Sequence, residues 1–312
     1  MEYTFDTKRQ GDSSMQHTTQ RPAQESGTCT IGGDLTVYRL GFGTMRLTGP
    51  GIWGPPANKQ EALAVLRHAL ELGVNLFDTA DAYGPEVAES LIAEALYPYP
   101  KDLVIATKGG LLRTGPNQWP ADGRPQHLRE ALEGSLRRLR LDRIDIYQFH
   151  RPDPRVPFED SVGELAKLRQ EGKIHHVGLS NVTIDQLARA QKIVPIVTVQ
   201  NHYNLAMRQS EHMTVADSEA MIDLCARQGI GFIPWSPLAF GELARSGGPL
   251  DQIAQRHNAQ PGQVALAWLL KRTSTMLPIP GTSTVKHLEE DMVGATIRLS
   301  QDEFDAIDRA SK

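Results

Sequence analysis

The sequence predicts an α/β fold: a closed (β/α)8 TIM barrel with an N-terminal β-hairpin and extra C-terminal helices. Three observations lead there. From residue 40 to residue 279, short apolar runs alternate with helical patterns, giving about eight βα units. The apolar runs are near-continuous rather than alternating, as strands covered on both faces must be. The longer connections, 109–124, 204–215 and 238–249, all follow strand-like runs, which would gather them on one face of a barrel. Eight units favour closure; a doubly wound open sheet is the competing topology.

Each element has its own signal. Residues 30–37 place apolar stretches on either side of Gly32-Gly33-Asp34, a hairpin turn. Residues 40–43 form a short buried strand. A helix over 59–72 carries Ala62, Val65, Leu66 and Ala69 at helical spacing, and Gly73 stops it. A strand over 74–77, a helix over 86–96 and a strand over 103–107 follow. Next come a helix at Pro125–Leu139, a strand at Ile144–Phe149, a helix over 158–171 ending at Gly172, and a strand over 176–179. The alternation continues with a helix over 183–192, a strand over 196–199, a helix over 217–228 stopped by Gly229, and a strand over 230–234. Pro261 opens a helix over 262–271, as proline does in a first helical turn. A strand over 276–279 and two further helices close the chain. Residues 1–27 are polar and read as a disordered extension, leaving 28–312 as one barrel domain.

Composition narrows the function. With 312 residues and a formal net charge of -4, the chain lacks the basic surface that nucleic acid requires. No apolar run is long enough to span a bilayer, and no apolar leader precedes the first strand. Cys29 and Cys225 match no metal-ligand spacing and read as reduced thiols of a cytoplasmic protein.

The strand ends carry the chemistry. One strand runs into Asp78-Thr79-Ala80-Asp81-Ala82-Tyr83-Gly84, the next into Lys108-Gly109, the third into His150-Arg151. An acid, a phenol, an ammonium and an imidazole therefore project from the same end of three neighbouring strands. A free phenol has a pKa near ~10, too high for easy acid–base work at neutral pH. A nearby lysine favours the phenolate and lowers it. An acid can hold the lysine, and a histidine can donate to a substrate oxygen. Together they make a proton donor for a carbonyl turning into an alkoxide. Taken singly, each has a structural explanation: a turn Asp, a solvated Lys, a satisfied His.

In this order and spacing the motifs resemble the aldo-keto reductases, and within them bacterial members related to pyridoxal reductases. The resemblance runs from Val37 onward. It is carried by residues 73–84, Lys108-Gly109, residues 145–150, Gly178-Leu179-Ser180-Asn181, Val199-Gln200-Asn201, Trp235-Ser236-Pro237-Leu238 and Ile279-Pro280-Gly281-Thr282. It implies Tyr83 as general acid, Lys108 as the group lowering its pKa, Asp78 as the anchor of Lys108, and His150 as the residue orienting the carbonyl. It implies NADPH, with NADH left open. Ser180, Asn181 and Gln200 would hold the nicotinamide amide, and Trp235 would stack on its ring. Gly43, Thr44, Met45 and Ile279 would line the cofactor cleft, while Ser236, Pro237, Leu238 and Gly241 would cover the pyrophosphate. Gly281, Thr282, Ser283, His287, Glu290 and Asp291 would meet the adenosine. Many members carry Lys and Arg where Gly281 and His287 stand. Here backbone N–H groups, hydroxyls, Lys286 and a helix N-terminus would have to take the 2′-phosphate.

Phe42, Met45, Tyr83, Trp53 and Trp119 are the expected walls for a small carbonyl substrate, pyridoxal among the candidates. No metal is implied. A nucleotide-sensing regulatory subunit resembling channel β-subunits is the alternative; a metal-dependent hydrolase using Asp78, Asp81 and His150 is a weaker one. No interface signature is visible, and the oligomeric state stays open.

Overall fold

The computed structural model describes residues 21–208, 213–248 and 250–310. Strands β1 (Thr28–Ile31) and β2 (Leu35–Tyr38) pair antiparallel as the expected hairpin. Seven parallel strands follow: β3 (Phe42–Gly43), β4 (Leu76–Asp78), β5 (Val104–Gly109), β6 (Ile144–Phe149), β7 (Ile174–Ser180), β8 (Ile196–His202) and β9 (Gly231–Trp235). They lie in the sheet in chain order. The expected last strand bridges the two edges. Phe232 N donates to Thr275 O (2.9 Å) and Leu277 N to Phe232 O (2.8 Å); on the other side, Gly41 N donates to Pro278 O and Gly43 N to Pro280 O, both at 3.0 Å. The sheet is thereby closed. The segment is not a regular strand because Pro278 and Pro280 have no N–H to give to a ladder.

Helices α1 (Lys59–Glu71), α2 (Val87–Leu96), α3 (Pro125–Leu139), α4 (Phe158–Gln170), α5 (Ile184–Gln191), α6 (Val215–Gln228), α7 (Asp251–Arg256), α8 (Pro261–Arg272), α9 (Val285–Val293) and α10 (Gln301–Ala310) surround it. Local chemistry sets their ends. Asn58 accepts from Glu61 N and caps α1, and Thr183 with Gln186 forms a capping box on α5. Helix α6 starts two residues before its expected position. Thr214 caps it, so Asp217 is its third residue, not its first, and bonds back to Thr214 N. Helix α7 was not expected; its six residues are too few to show a periodicity.

Alternation along the strands divides the core. Leu76, Val104, Ala106, Ile146, Val197, Ile233, Leu277 and Ile279 fill the barrel interior. Their neighbours Phe77, Ile105, Tyr147, Phe149, Val177, Val199 and Phe232 face the helices. Phe42 belongs to this outer layer, fully buried and edge-on to Phe77 at 5.9 Å. The expectation that it walls a pocket is therefore wrong, because its strand turns it outward. Cys29, Ile31 and Val37 of the hairpin join the interior cluster, so the hairpin plugs the barrel floor. Cys29 and Cys225 are both free and buried.

Residues 1–20 of the expected disordered extension lie outside the described residues. Its last residues are ordered: Pro22–Ser26 forms a 3-10 turn, with Ala23 N bonded to Leu72 O and Ser26 Oγ receiving Leu40 N. Among the described residues, no helix is long and apolar enough to cross a membrane.

Candidate active site

The alternation that fills the interior also delivers the site. In β4, Leu76 points in, Phe77 out and Asp78 in again. In β5 the same step runs Val104, Ala106, Lys108, and in β6 it runs Ile146, Gln148, His150. The inward row thus changes from apolar to polar at the C-terminal ends of three adjacent strands. The four residues expected to act together do converge.

Lys108 is fully buried, and its three donors are all used. Its Nζ donates to Asp78 Oδ1 (2.6 Å), Thr79 O (2.7 Å) and Tyr83 Oη (3.2 Å). The other Asp78 oxygen accepts amide N–H groups from Gln148 (3.1 Å) and Gln200 (2.7 Å). The carboxylate is thus held by an ammonium on one side and two amides on the other, the satisfaction a buried ion pair needs. Tyr83 stands edge-on between His150 (centroids 5.9 Å apart) and Trp119 (6.4 Å).

The electrostatics give Lys108 the expected sign of influence on Tyr83, but burial outweighs it. Burial is the largest influence on Tyr83 and pushes its phenol above the ordinary value; Lys108 opposes this without overcoming it. The phenol is consequently protonated at neutral pH and remains so well into alkali. Burial disfavours a charged Lys108, but Asp78 and Tyr83 outweigh it and its pKa is raised. Burial, reinforced by Lys108, Arg151 and Arg113, takes His150 well below the usual imidazole range, so this ring is neutral. Its Nδ1 is buried without a protein partner.

Asp81 is a further acid in the same loop, partly exposed as a residue but with its Oδ1 buried. Burial first, and the charge of Glu89 second, push its carboxyl up to about 8, while Arg138 opposes them. Its Oδ1 has no partner. Glu89 by contrast is bonded by Thr107 and Arg138. An acid with a folded pKa above its unfolded one weakens the fold progressively as pH rises from the unfolded value to the folded one. Asp81→Asn should accordingly melt like wild type near pH 4 and about 2 °C or more above it at pH 8. Equal melting temperatures at pH 8 would show that Asp81 ionises without cost.

The residues expected to bind cofactor fall at the same barrel end. Asn181, with φ 58°, donates to His150 O and Ser180 Oγ (both 3.0 Å) and accepts Trp235 Nε1 (3.1 Å). Its amide is occupied within the protein, as is the Nε2 of Gln200, so both act first as braces of the site. Trp235 is partly exposed and stacks on His202 with centroids 4.0 Å apart, leaving its second face for another ring. Beyond it, Ser236, Ala239, Phe240 and Gly241 all have positive φ. The loop closes on itself: Ala239 N bonds Ser236 O, Phe240 N bonds Ser236 Oγ and Gly241 N bonds Leu238 O. Those three N–H groups are not free for a pyrophosphate in this conformation.

At the far end, a Cβ on Gly281 would lie 2.4 Å from Gly43 O, and one on Gly43 would lie 2.7 Å from Ile279 O. The two backbones touch, which accounts for glycine where a lysine was a common alternative. The N-terminus of α9, expected to hold a phosphate, is already engaged. Glu61 accepts Val285 N (3.0 Å), and Thr284 Oγ1 accepts His287 N (3.4 Å). A carboxylate reaching over from α1 thus occupies part of the place expected for the phosphate. Lys286 lies beside this end, 3.8 Å from Glu290. Burial, with Glu290 adding to it, raises the Asp291 carboxyl to about 7.

The loops above the site are tied by Arg113, which the sequence reading did not single out. Its guanidinium donates to Ile52 O, Ala82 O, Gly51 O and Gly115 O, and its Nε donates to Gln118 O. It lies 3.6 Å over Trp119 and 5.5 Å over Trp53. Met45 and Trp119 pack around Tyr83 as expected, and Ile52, which the sequence reading did not name, joins them. Nothing in the local sequence marks Arg113, since its partners are backbone carbonyls of three separate segments. Gln148 was legible in principle: a polar residue in an apolar strand, two places before His150, must share its face.

A buried imidazole nitrogen lacking a partner and an indole covered on one face leave room for a planar ring at this barrel end. Comparison with known proteins points the same way. The pattern described as "Aldo/keto reductase family" matches residues 39–312. An uncharacterized oxidoreductase of Schizosaccharomyces pombe is 48% identical over 290 residues, covering 93% of this chain and 92% of its own. Pyridoxine 4-dehydrogenase of Escherichia coli is 43% identical over 293 residues, covering 92% and 99%. A crystal structure of an aldo-keto reductase from Klebsiella pneumoniae in complex with NADPH superposes with a TM-score of 0.73 at 25% identity, covering 90% of this chain and 94% of that one.

Proposed function

The chain belongs to the aldo/keto reductase family and is an NAD(P)H-dependent oxidoreductase; from that premise we propose that it reduces an aromatic aldehyde of the pyridoxal class with NADPH, using Tyr83 as the proton donor. The observation that carries this reading is the position of Lys108 Nζ, between Asp78 Oδ1 at 2.6 Å and Tyr83 Oη at 3.2 Å, inside a buried site.

A bound reduced nicotinamide supplies the hydride that adds to the carbonyl carbon. As the C=O electron pair moves onto oxygen, the Tyr83 hydroxyl gives up its proton to that oxygen. The O–H bond of Tyr83 breaks and an alcohol O–H forms. The phenolate left behind faces the Lys108 ammonium, which stabilises it until a proton returns from water. Asp78 keeps that ammonium aimed, and the two glutamine amides keep Asp78 from rotating. Neutral His150 offers a ring N–H to the carbonyl oxygen and so orients it without adding a charge. Because the resting phenol is protonated across neutral pH, the geometry favours reduction; oxidation of an alcohol needs the phenolate and should gain with rising pH.

The substrate class rests on the Tyr83 and Trp119 wall and on the likeness to pyridoxine 4-dehydrogenase. The choice of NADPH rests on the NADPH-bound relative and on Lys286 with the hydroxyls of Thr282 and Ser283 near α9. The test is oxidation of NADPH, followed by its near-ultraviolet absorbance, against pyridoxal, other aromatic aldehydes and diketones, with NADH in parallel. Turnover of pyridoxal with NADPH at least tenfold above NADH is the expected result. Turnover with NADH alone would overturn the cofactor choice, and inertness toward every carbonyl would overturn the reductase reading.

A further inference from the structure

At the opposite end of the barrel from the candidate active site, two consecutive imidazoles meet a carboxylate. His175 Nε2 lies 2.7 Å from Asp34 Oδ2, and His176 Nε2 lies 2.6 Å from Asp34 Oδ1. Their ligand atoms all fall within 4.8 Å of one another. The two rings are 4.2 Å apart, tilted by 53°. The residues come from elements far apart in sequence: Asp34 lies in the hairpin turn, and the histidines follow Ile174 at the start of β7. The turn is shaped for this meeting. Gly32 and Gly33 have φ of 63° and 89°, and a Cβ on Gly32 would lie 2.4 Å from the His176 ring. Only glycine lets the turn settle on that imidazole.

We propose that Asp34, His175 and His176 form a binding site for a divalent transition cation of the zinc class, which fastens the hairpin to β7. Two imidazoles and one carboxylate are a donor set that zinc accepts, with bonds of about 2.0–2.2 Å. Around such an ion, tetrahedral ligand atoms stand roughly 3.4 Å apart. Two of the present separations are hydrogen bonds, so the Asp34 carboxylate must withdraw by less than about 1 Å, and the two Nε2 atoms, within 4.8 Å of each other, must settle at the same spacing. It can do so: its side chain is half exposed on a turn, and the same exposure gives the ion an entry path. Each Nε2 offers its lone pair once its proton resides on Nδ1, a change of tautomer rather than of fold. The fourth position faces solvent and takes water. Arg143 and Arg169 border the groove beside His175, and Arg169 Nε bonds the His175 carbonyl, so their charge moderates affinity without entering the donor set.

The site shares no side chain with the reductase assignment, so the two stand or fall separately. The test is calorimetric titration of the full-length, chelator-treated protein with zinc chloride near pH 7.5. One equivalent should bind with micromolar or tighter affinity, and zinc at a hundredfold excess over Kd should raise the melting temperature by about 4 °C. Asp34→Asn and His175→Gln should each weaken that equivalent at least tenfold, with unchanged circular dichroism and unchanged carbonyl reduction. No saturable equivalent in the wild type overturns the proposal, as does an equivalent that both variants retain.

Discussion

Tyr83→Phe should lower kcat for carbonyl reduction by about 10²–10⁴-fold while leaving cofactor affinity within about twofold of wild type. The change deletes one oxygen whose only partner among the described residues is Lys108 Nζ at 3.2 Å. The ring keeps its edge contacts with His150 and Trp119, so the pocket wall survives. Single-turnover absorbance after mixing enzyme, NADPH and aldehyde measures the chemical step; a fluorescence titration measures binding. A variant that reduces aldehyde at the wild-type rate would show that the proton comes from elsewhere, with water held by His150 as the first candidate. Equal losses in kcat and in cofactor binding would instead mean that the ring had moved.

Lys108→Met should cost more, because it damages stability as well as chemistry. The thioether is close in length to the lysine stem and fits the same channel, so packing changes little. What disappears is the ammonium, leaving Asp78 buried with only two amide donors. Breaking a buried pair from one side costs roughly 3–5 kcal/mol. For a chain of this length that is a fall of about 5 °C or more in melting temperature. Activity should drop at least as far as in Tyr83→Phe, since the phenolate then forms with nothing to stabilise it. The double change Asp78→Asn with Lys108→Met should recover much of the lost stability and none of the activity. That split separates the pair's structural contribution from its chemical one. If the single variant melts with wild type, the ion pair matters less to stability than its geometry suggests.

Much of this was legible in the residues, for a physical reason. Parallel strands covered on both faces must be apolar, so the polar residues that interrupt them stand out. Asp78, Lys108 and His150 each follow such a run directly, and a shared barrel end brings them together. What could not be read depends on contacts between remote segments. Glu61 reaching Val285 across 224 residues, or Arg113 collecting carbonyls from three segments, leaves no local pattern. The net effect on Tyr83 also depended on magnitude: a lysine nearby lowers a phenol, but full burial raises it further. Phe42 was misplaced for a different reason. Two strand residues are too few to show which face an aromatic takes, and its partner Phe77 in the neighbouring strand decides it. The closing segment was found by its apolar character, while its prolines hid the irregular pairing.

The hairpin that seals the barrel floor has a consequence for synthesis on the ribosome. Its apolar residues Ile31 and Val37 rest on Ile233, Leu277 and Ile279, which leave the exit tunnel last. At 5–20 residues per second, the hairpin waits on the order of ten seconds or more for the surface it will cover. A lone two-stranded hairpin is barely stable in water during such a wait. Its turn finds its first long-range partners earlier, when His175 and His176 emerge to meet Asp34. Asn75 already accepts Tyr38 N and donates to Thr36 O, so polar contacts dock the hairpin before its hydrophobic seat is complete, and the nascent barrel acquires its floor in instalments.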